Sequence, residues 1–350
     1  MSSALSITSS CCATGCWPGC ARPGSKGRVM QLIRLVTGNL VRAIPVAMLA
    51  GLLFGLLMPT GWLRSLIVPL TFLMVYPMMV GLKISQLAER GDGRVQLLTQ
   101  AINFGVIPFV AYGLGLLFFP DRPYAAVGLL LAGLLPTSGM TISWTGMAGG
   151  NLPAAIKMTV LGLILGSLAA PLYLSALLGA RVPVDPVGVF RQIVIIVLLP
   201  LLAGQLTRLL LIRRSGLAAF QKEWAPRFPP FSTLGVLGIA FVAIAMQART
   251  LAQNPADILW LLIPLILLYA VNYVLAAVLG RRLLSRGDAV ALTYGTVMRN
   301  LSIALALAMN LFGARGAEAA LLIALAYVVQ VQSAAWSVRL VDRVFGARQA

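Results

Sequence analysis

The chain has 350 residues, 59% apolar and only 10% charged, with a mean hydropathy of +0.93 and a formal net charge of +18. That balance excludes a soluble globular domain and makes lipid the solvent for most of the chain. The Lys and Arg residues sit in short runs between apolar stretches, which excludes a nucleic-acid face, and the absence of histidine excludes catalytic triads, His-ligated metals and histidine relays.

Residues 1–29 are rich in Ser, Gly, Cys and Pro and lack the continuous apolar core of a secretory signal, so they read as a disordered tail. All four cysteines, Cys11, Cys12, Cys16 and Cys20, lie there, beyond reach of any transmembrane site. Met30 opens a basic amphipathic lead-in, Met30 to Arg34, and is read as an alternative start.

A bilayer core about 30 Å thick needs roughly 20 apolar residues per helix. Runs of that kind fall at about 40–58, 64–82, 97–119, 125–148, 152–179, 188–210, 231–248, 257–279, 289–312 and 318–338. The chain is therefore expected to be an all-α polytopic membrane protein with ten transmembrane helices. With the N-terminus in the cytoplasm, nineteen basic residues fall on the cytoplasmic side, among them Lys83, Arg208, Arg281 and Arg339. Six, namely Arg64, Arg122, Arg181, Arg191, Arg249 and Arg315, fall on the other. The asymmetry places both termini inside, in a bacterial inner or plasma membrane.

Lys157 in the fifth span and Arg299 in the ninth remain, and no Asp or Glu lies deep within any span. Intramembrane charge is costly and marks function. Lys157 is close enough to its helix end to snorkel, whereas Arg299 is about ten residues from either end.

Ten helices divide into two sets of five, and an odd-numbered unit repeated once is inverted in the membrane. The first repeat covers residues 30–180, a connector 181–187, the second repeat 188–338 with a cytoplasmic loop at 211–230, and a tail 339–350. In such folds the site lies where unwound helices of the two repeats cross near the midplane. The fourth span carries Pro136, Thr137, Ser138 and Gly139, followed by Thr141 and Ser143; proline removes a backbone donor, and glycine and hydroxyl residues loosen the next turn. The ninth carries Gly295, Thr296, Met298, Arg299 and Asn300. Both helices are expected to break, at Pro136–Gly139 and at Gly295, and to expose amides at two half-helix ends.

With these residues in view, the chain resembles the bile acid:sodium symporters, within a superfamily that also contains arsenite efflux permeases. The resemblance spans about residues 40 to 340 and rests on Gly81-Leu82-Lys83, on Asn103-Phe104 with Ile107-Pro108, on Pro136 through Ser143 with Gly150-Asn151, and on Met298-x-Asn300. It implies a panel domain and a core domain, crossed discontinuous helices four and nine, and sodium-coupled uptake of organic anions.

The sodium ligands depart from that family. Its ninth-helix pattern Glu-x-Gly-Met-Gln-Asn falls on Gly295 through Asn300, so the carboxylate is gone and Arg299 replaces the glutamine. The family's Ser-Asn pair falls on Thr141 and Ile142, its later Ser and Thr on Ala155 and Thr159, and its third-helix glutamine on Asn103. Thr141, Thr159 and Met298 mark the family's ion positions here. A fixed guanidinium in that cage opposes sodium by several kcal/mol at roughly 4 Å. Sodium coupling by the family mechanism is therefore expected to be lost. Arg299, helped by Lys157, is expected to act as a tethered cation beside Asn103, Thr141, Ser143, Thr296 and Asn300, for a small organic anion.

Lys157 is also the one candidate proton carrier. Arsenite efflux is the alternative, although the fourth helix has no cysteine and Ser302 stands near the glutamate expected in that family's ninth helix. A non-transporting membrane sensor is the reading from another class. No enzyme, cofactor, metal or nucleic-acid partner is expected. Gln192, Gln205, Gln247, Asn272, Gln330 and Gln332 read as interhelical hydrogen-bond partners, and Trp62, Tyr124 and Trp260 as interfacial anchors.

Overall fold

The computed structural model describes residues 40–82, 91–180, 182, 185–253, 256–313 and 315–347. The tail at 1–29, Met30, and part of both the connector and the C-terminal tail lie outside the described residues. Every named element is helical, and each apolar run of the sequence is occupied by helix.

The first run forms α1, Leu40–Leu57. A 3-10 turn over Gly61–Leu66 leads into α2, Ile67–Gly81. The third run is two helices, α3 (Gly93–Gly105) and α4 (Ile107–Phe118), an interruption the sequence reading did not anticipate. Pro108 in the first turn of α4 accounts for it, because its ring disfavours helical backbone just before it and its nitrogen has no proton to give. The fourth run divides into α5 (Pro123–Leu134) and α6 (Gly139–Met147), and the fifth is one long helix, α7 (Leu152–Leu178).

After α8 (Pro186–Ile193), a π-helical turn at Val194–Leu198 leads into α9, Leu199–Ala219. The stretch 211–230, expected as a loop, is helical for most of its length. It turns at Gly216, whose φ of 81° suits a residue without Cβ, and continues through Phe220–Trp224 into α10, Phe228–Gln253. Arg208 anchors this turn by donating to Leu82 O at 2.8 Å and lying over the Phe220 ring. Next come α11 (Ala256–Leu283), α12 (Arg286–Val297), α13 (Leu301–Phe312) and α14 (Gly316–Phe345).

Among the described residues, six stretches are long and apolar enough to cross a bilayer: 61–81, 93–118, 152–178, 186–249, 256–283 and 316–345. Ala43–Leu57, Pro123–Leu134 and Leu301–Phe312 are shorter apolar helices.

Helices α1, α2, α9 and α10 pack on one another, and α3 to α7 pack with α11, α12 and α14; α14 also packs on α10 and α1, and α13 on α2, which joins the two sets. Between α1 and α10 the contact is made by Gly51 and Gly55, one turn apart on α1. A Cβ at Gly55 would overlap Ala245 O and stand 2.6 Å from Ala248 Cβ, so the backbones meet directly. Gly55→Leu is accordingly expected to lower the melting temperature in detergent or abolish monodisperse protein, an overpacking cost of about 1–3 kcal/mol or more. Gly61→Leu, where a Cβ meets nothing within 4 Å, is the control that should melt with the parent.

Candidate functional site

The two interrupted helices meet at their interruptions. Pro136 and Arg299 form an isolated antiparallel bridge, and Asn300 N donates to Leu135 O at 2.8 Å. A backbone pair between segments 163 residues apart satisfies groups that two broken helices leave open in a medium without water.

Two devices hold the first segment. Ser138 caps α6, its hydroxyl accepting from Met140 N while Thr141 Oγ1 accepts from Ser138 N, a reciprocal capping box. Thr137 has a φ of 60°, a left-handed conformation that β-branched residues rarely adopt. Its buried hydroxyl lies within 2.8 Å of Pro136 O, 3.4 Å of Met158 O and 3.3 Å of Thr159 O. Small residues on α7 make room: a Cβ at Gly162 would overlap Thr137 Oγ1, and one at Gly166 would stand 2.9 Å from Pro136 Cδ.

The second segment opens later than the sequence suggested. Gly295 is still helical, and α12 ends at Val297, leaving Met298, Arg299 and Asn300 between the half-helices. Gly295 serves packing instead: a Cβ there would stand 2.6 Å from Met158 Sδ. The last turn of α12 is capped from outside. Asn103 Nδ2 on α3 donates to Gly295 O at 3.0 Å, and Asn272 Nδ2 on α11 donates to Thr296 O at 2.8 Å. Gln330 of α14 accepts from Arg299 N at 2.8 Å and donates to Arg299 O at 3.3 Å, while the Tyr269 hydroxyl donates to the same Gln330 oxygen. Asn300 caps α13 through Ile303 N.

After this bonding, a set of buried polar atoms has no partner among the described residues: Arg299 Nη1 and Nη2, Asn300 Nδ2, Asn103 Oδ1 and Asn272 Oδ1. Arg299 is 2% exposed, the largest of the fully buried side chains. Burying a charge without a partner is among the most costly arrangements a protein can hold. The same crossing thus presents three donor atoms, two of them on one charged group, and two acceptors.

The other expected site residues divide. Thr141, Thr296 and Thr159 are buried beside the crossing, their hydroxyls engaged with Ser138 N, Thr293 O and Ala155 O; Met298 is fully buried. Ser143 lies on the exposed side of α6, opposite Thr141 and Thr145, as a two-residue offset on a helix dictates. Lys157 pairs with Asp92 at 3.6 Å, and Asn151 bridges Asp92 to Asp288 at the start of α12. Its ammonium group is thus directed at a carboxylate. The amides at the half-helix ends, expected to be open, are partly taken by the Ser138 and Asn300 caps.

Asn272 and Gln330 were read only as interhelical partners. They do bond between helices, and they also fix the second interruption. Their signal was position: Asn272 is in the eighth apolar run as Asn103 is in the third.

No Asp or Glu of the described residues lies at the crossing; in α12 and α14, Asp288 and Glu318 occupy first turns and Asp342 lies near the C-terminal end of α14. No cluster of three or more potential metal-ligating Cys, Asp or Glu side chains occurs among the described residues.

The sodium bile acid symporter family model matches residues 68–254, just over half of the chain. YbaS of Bacillus subtilis is 27% identical over 59% of this chain and 66% of its own length. The arsenical-resistance protein Acr3 of Corynebacterium glutamicum is 23% identical over 70% of each chain, and an uncharacterised transporter of Synechocystis is 25% identical over 69% of each. The matched segment thus spans about two thirds of these relatives. With its apolar helices, this chain belongs to the sodium bile acid symporter family of membrane transporters.

Proposed function

We propose that this protein is a secondary transporter of a small organic anion that works by alternating access, without the sodium coupling of its family. The observation that carries the reading is the Arg299 guanidinium, wholly buried at the crossing with Nη1 and Nη2 unpartnered among the described residues. A fork of two parallel donors suits a planar carboxylate or a sulfonate, and Asn300 Nδ2 adds a third. The free Asn103 and Asn272 oxygens suit a hydroxyl or amide on the same solute. A fixed positive charge does the work that a mobile sodium ion does where a carboxylate is present.

This reading includes ten spans as a five-plus-five inverted repeat, crossing near the midplane, in a bacterial inner membrane with both termini cytoplasmic. Pairing of the fourth and ninth runs at their interruptions supports the repeat, as does the placement of Asn103 and Asn272 on the third and eighth. The packing of α1, α2, α9 and α10 on one another supports a panel beside a core.

Arsenite export is the second reading, favoured by the similarity to Acr3. Against it, all four cysteines lie in the first twenty residues, so no soft thiolate ligand is available in the spans.

The test is flux into proteoliposomes from a panel of carboxylates, sulfonates and arsenite, with sodium or choline as the external cation. Uptake of at least one organic anion at equal rates in both media is expected. Strict sodium dependence would remove the uncoupled reading, movement of arsenite alone would establish the second, and binding without flux would identify a sensor.

A further inference from the structure

Helices α11 and α14 part between two of their contacts. At the inner contact the Tyr273 hydroxyl meets Ser333 Oγ at 3.4 Å. At the outer one Gly280 lies against Phe345, whose ring a Cβ at Gly280 would approach to 3.2 Å. Between the two is a cavity of about 440 Å³, lined by Tyr273, Val274 and Ala277 of α11 and by Trp336, Leu340 and Phe345 of α14 among others. Its mouth is on the outer surface of the spans: Trp336 is 71% exposed and Val274 62%.

The outer half of the rim is basic. Arg281 is four residues beyond Ala277, which sets it on the same face of α11 one turn further out. Arg339 and Arg343 follow Trp336 and Leu340 by three residues each, on the same face of α14. All three arginines are exposed, and none has an ion pair among the described residues; Asp342 between them is taken by Arg286. By charge these arginines mark the membrane surface on the side of the C-terminus.

We infer that this groove is a binding site for an anionic phospholipid, with an acyl chain in the cavity between α11 and α14 and the phosphate on Arg281, Arg339 and Arg343. Ordinary lipid contact needs neither a concave apolar slot between two helix contacts nor unpaired cations along its outer half. A slot with a basic rim selects for negative headgroups, as basic pockets between membrane helices do. A zwitterionic lipid would fill the slot and gain nothing at the rim. A free phosphate or headgroup would meet the rim and forgo the slot. The inference is independent of what the crossing carries.

Purified full-length protein in detergent is titrated with phosphatidylglycerol, phosphatidylcholine or glycerol phosphate, and binding is read by native mass spectrometry and by melting temperature. Phosphatidylglycerol is expected to bind and raise the melting temperature, with the other two weaker by at least tenfold. An Arg281→Gln, Arg339→Gln, Arg343→Gln variant should weaken phosphatidylglycerol on the order of a hundredfold, about a factor of five per arginine. Ala277→Phe, which fills the slot and leaves the rim, should weaken it too and decides the matter if the triple variant does not fold. Equal binding of the two lipids, binding of glycerol phosphate as tight as the lipid, or a folded variant that binds like the parent overturns the assignment.

Discussion

Arg299→Met is expected to raise the melting temperature of the ligand-free protein and to abolish saturable anion binding. The two effects have one origin. Arg299 is buried with both Nη atoms unpartnered among the described residues, and its backbone alone is held, by Gln330. Replacing such a charge with an apolar side chain of similar length removes a desolvation cost of several kcal/mol while leaving the Gln330 bonds intact. If the fork receives the anion, its loss also leaves a buried anion without a counter-charge, a cost of about 3–5 kcal/mol, or about two to nearly four orders of magnitude in affinity. Arg299→Lys keeps the charge but not the two parallel donors, and should recover a minor part of binding. Arg299→Gln, which restores the residue of the family pattern, should lose binding without gaining sodium dependence, because the family's carboxylate position is Gly295 here. Thermal melts and equilibrium binding on the same preparations check both halves. A methionine variant that melts below the parent and binds normally would show that Arg299 is structural.

What the sequence made legible follows the reach of each signal. Apolar runs are long, so the helices stood where hydropathy put them. The fourth-run interruption was legible because Pro136 is a local cause. In the ninth run no proline acts, and the interruption falls three residues beyond Gly295, where Asn103, Asn272 and Gln330 cap and clasp the chain from other helices. Nothing local announces those contacts. Lys157 shows the same limit: its partner Asp92 is 65 positions away, so the sequence offered a snorkelling or substrate-facing lysine and not the ion pair. The face that Ser143 occupies needed a boundary, since once α6 is known to start at Gly139 that face follows from the helical period. The interruption at Val106 had a local signal in Pro108 that went unused.

The geometry of the crossing makes Gly162→Ala damaging, and Thr137→Gly is expected to rescue it. Alanine at 162 places a Cβ on the hydroxyl of Thr137, which is held at φ 60° and within reach of three carbonyl oxygens, so the hydroxyl cannot yield without leaving them. An overpacked site of this kind costs about 1–3 kcal/mol, and the strain falls on the segment that pairs with Arg299 and Asn300. Thr137→Gly alone works in two directions. It relieves a left-handed backbone worth about 1–2 kcal/mol and forfeits a hydroxyl bond worth about 1 kcal/mol, so its net effect should be small. In the double variant the glycine removes the atom that alanine meets, and the two changes should be non-additive by at least about 1 kcal/mol towards recovery. Gly139→Ala, where a Cβ meets nothing within 4 Å, is the control for a plain glycine effect in the same segment. Melting temperature and anion flux, measured on all four members of the cycle, should move together. Strict additivity would mean that Thr137 is not what α7 makes room for, and that the interruption is held by the Pro136–Arg299 pairing alone.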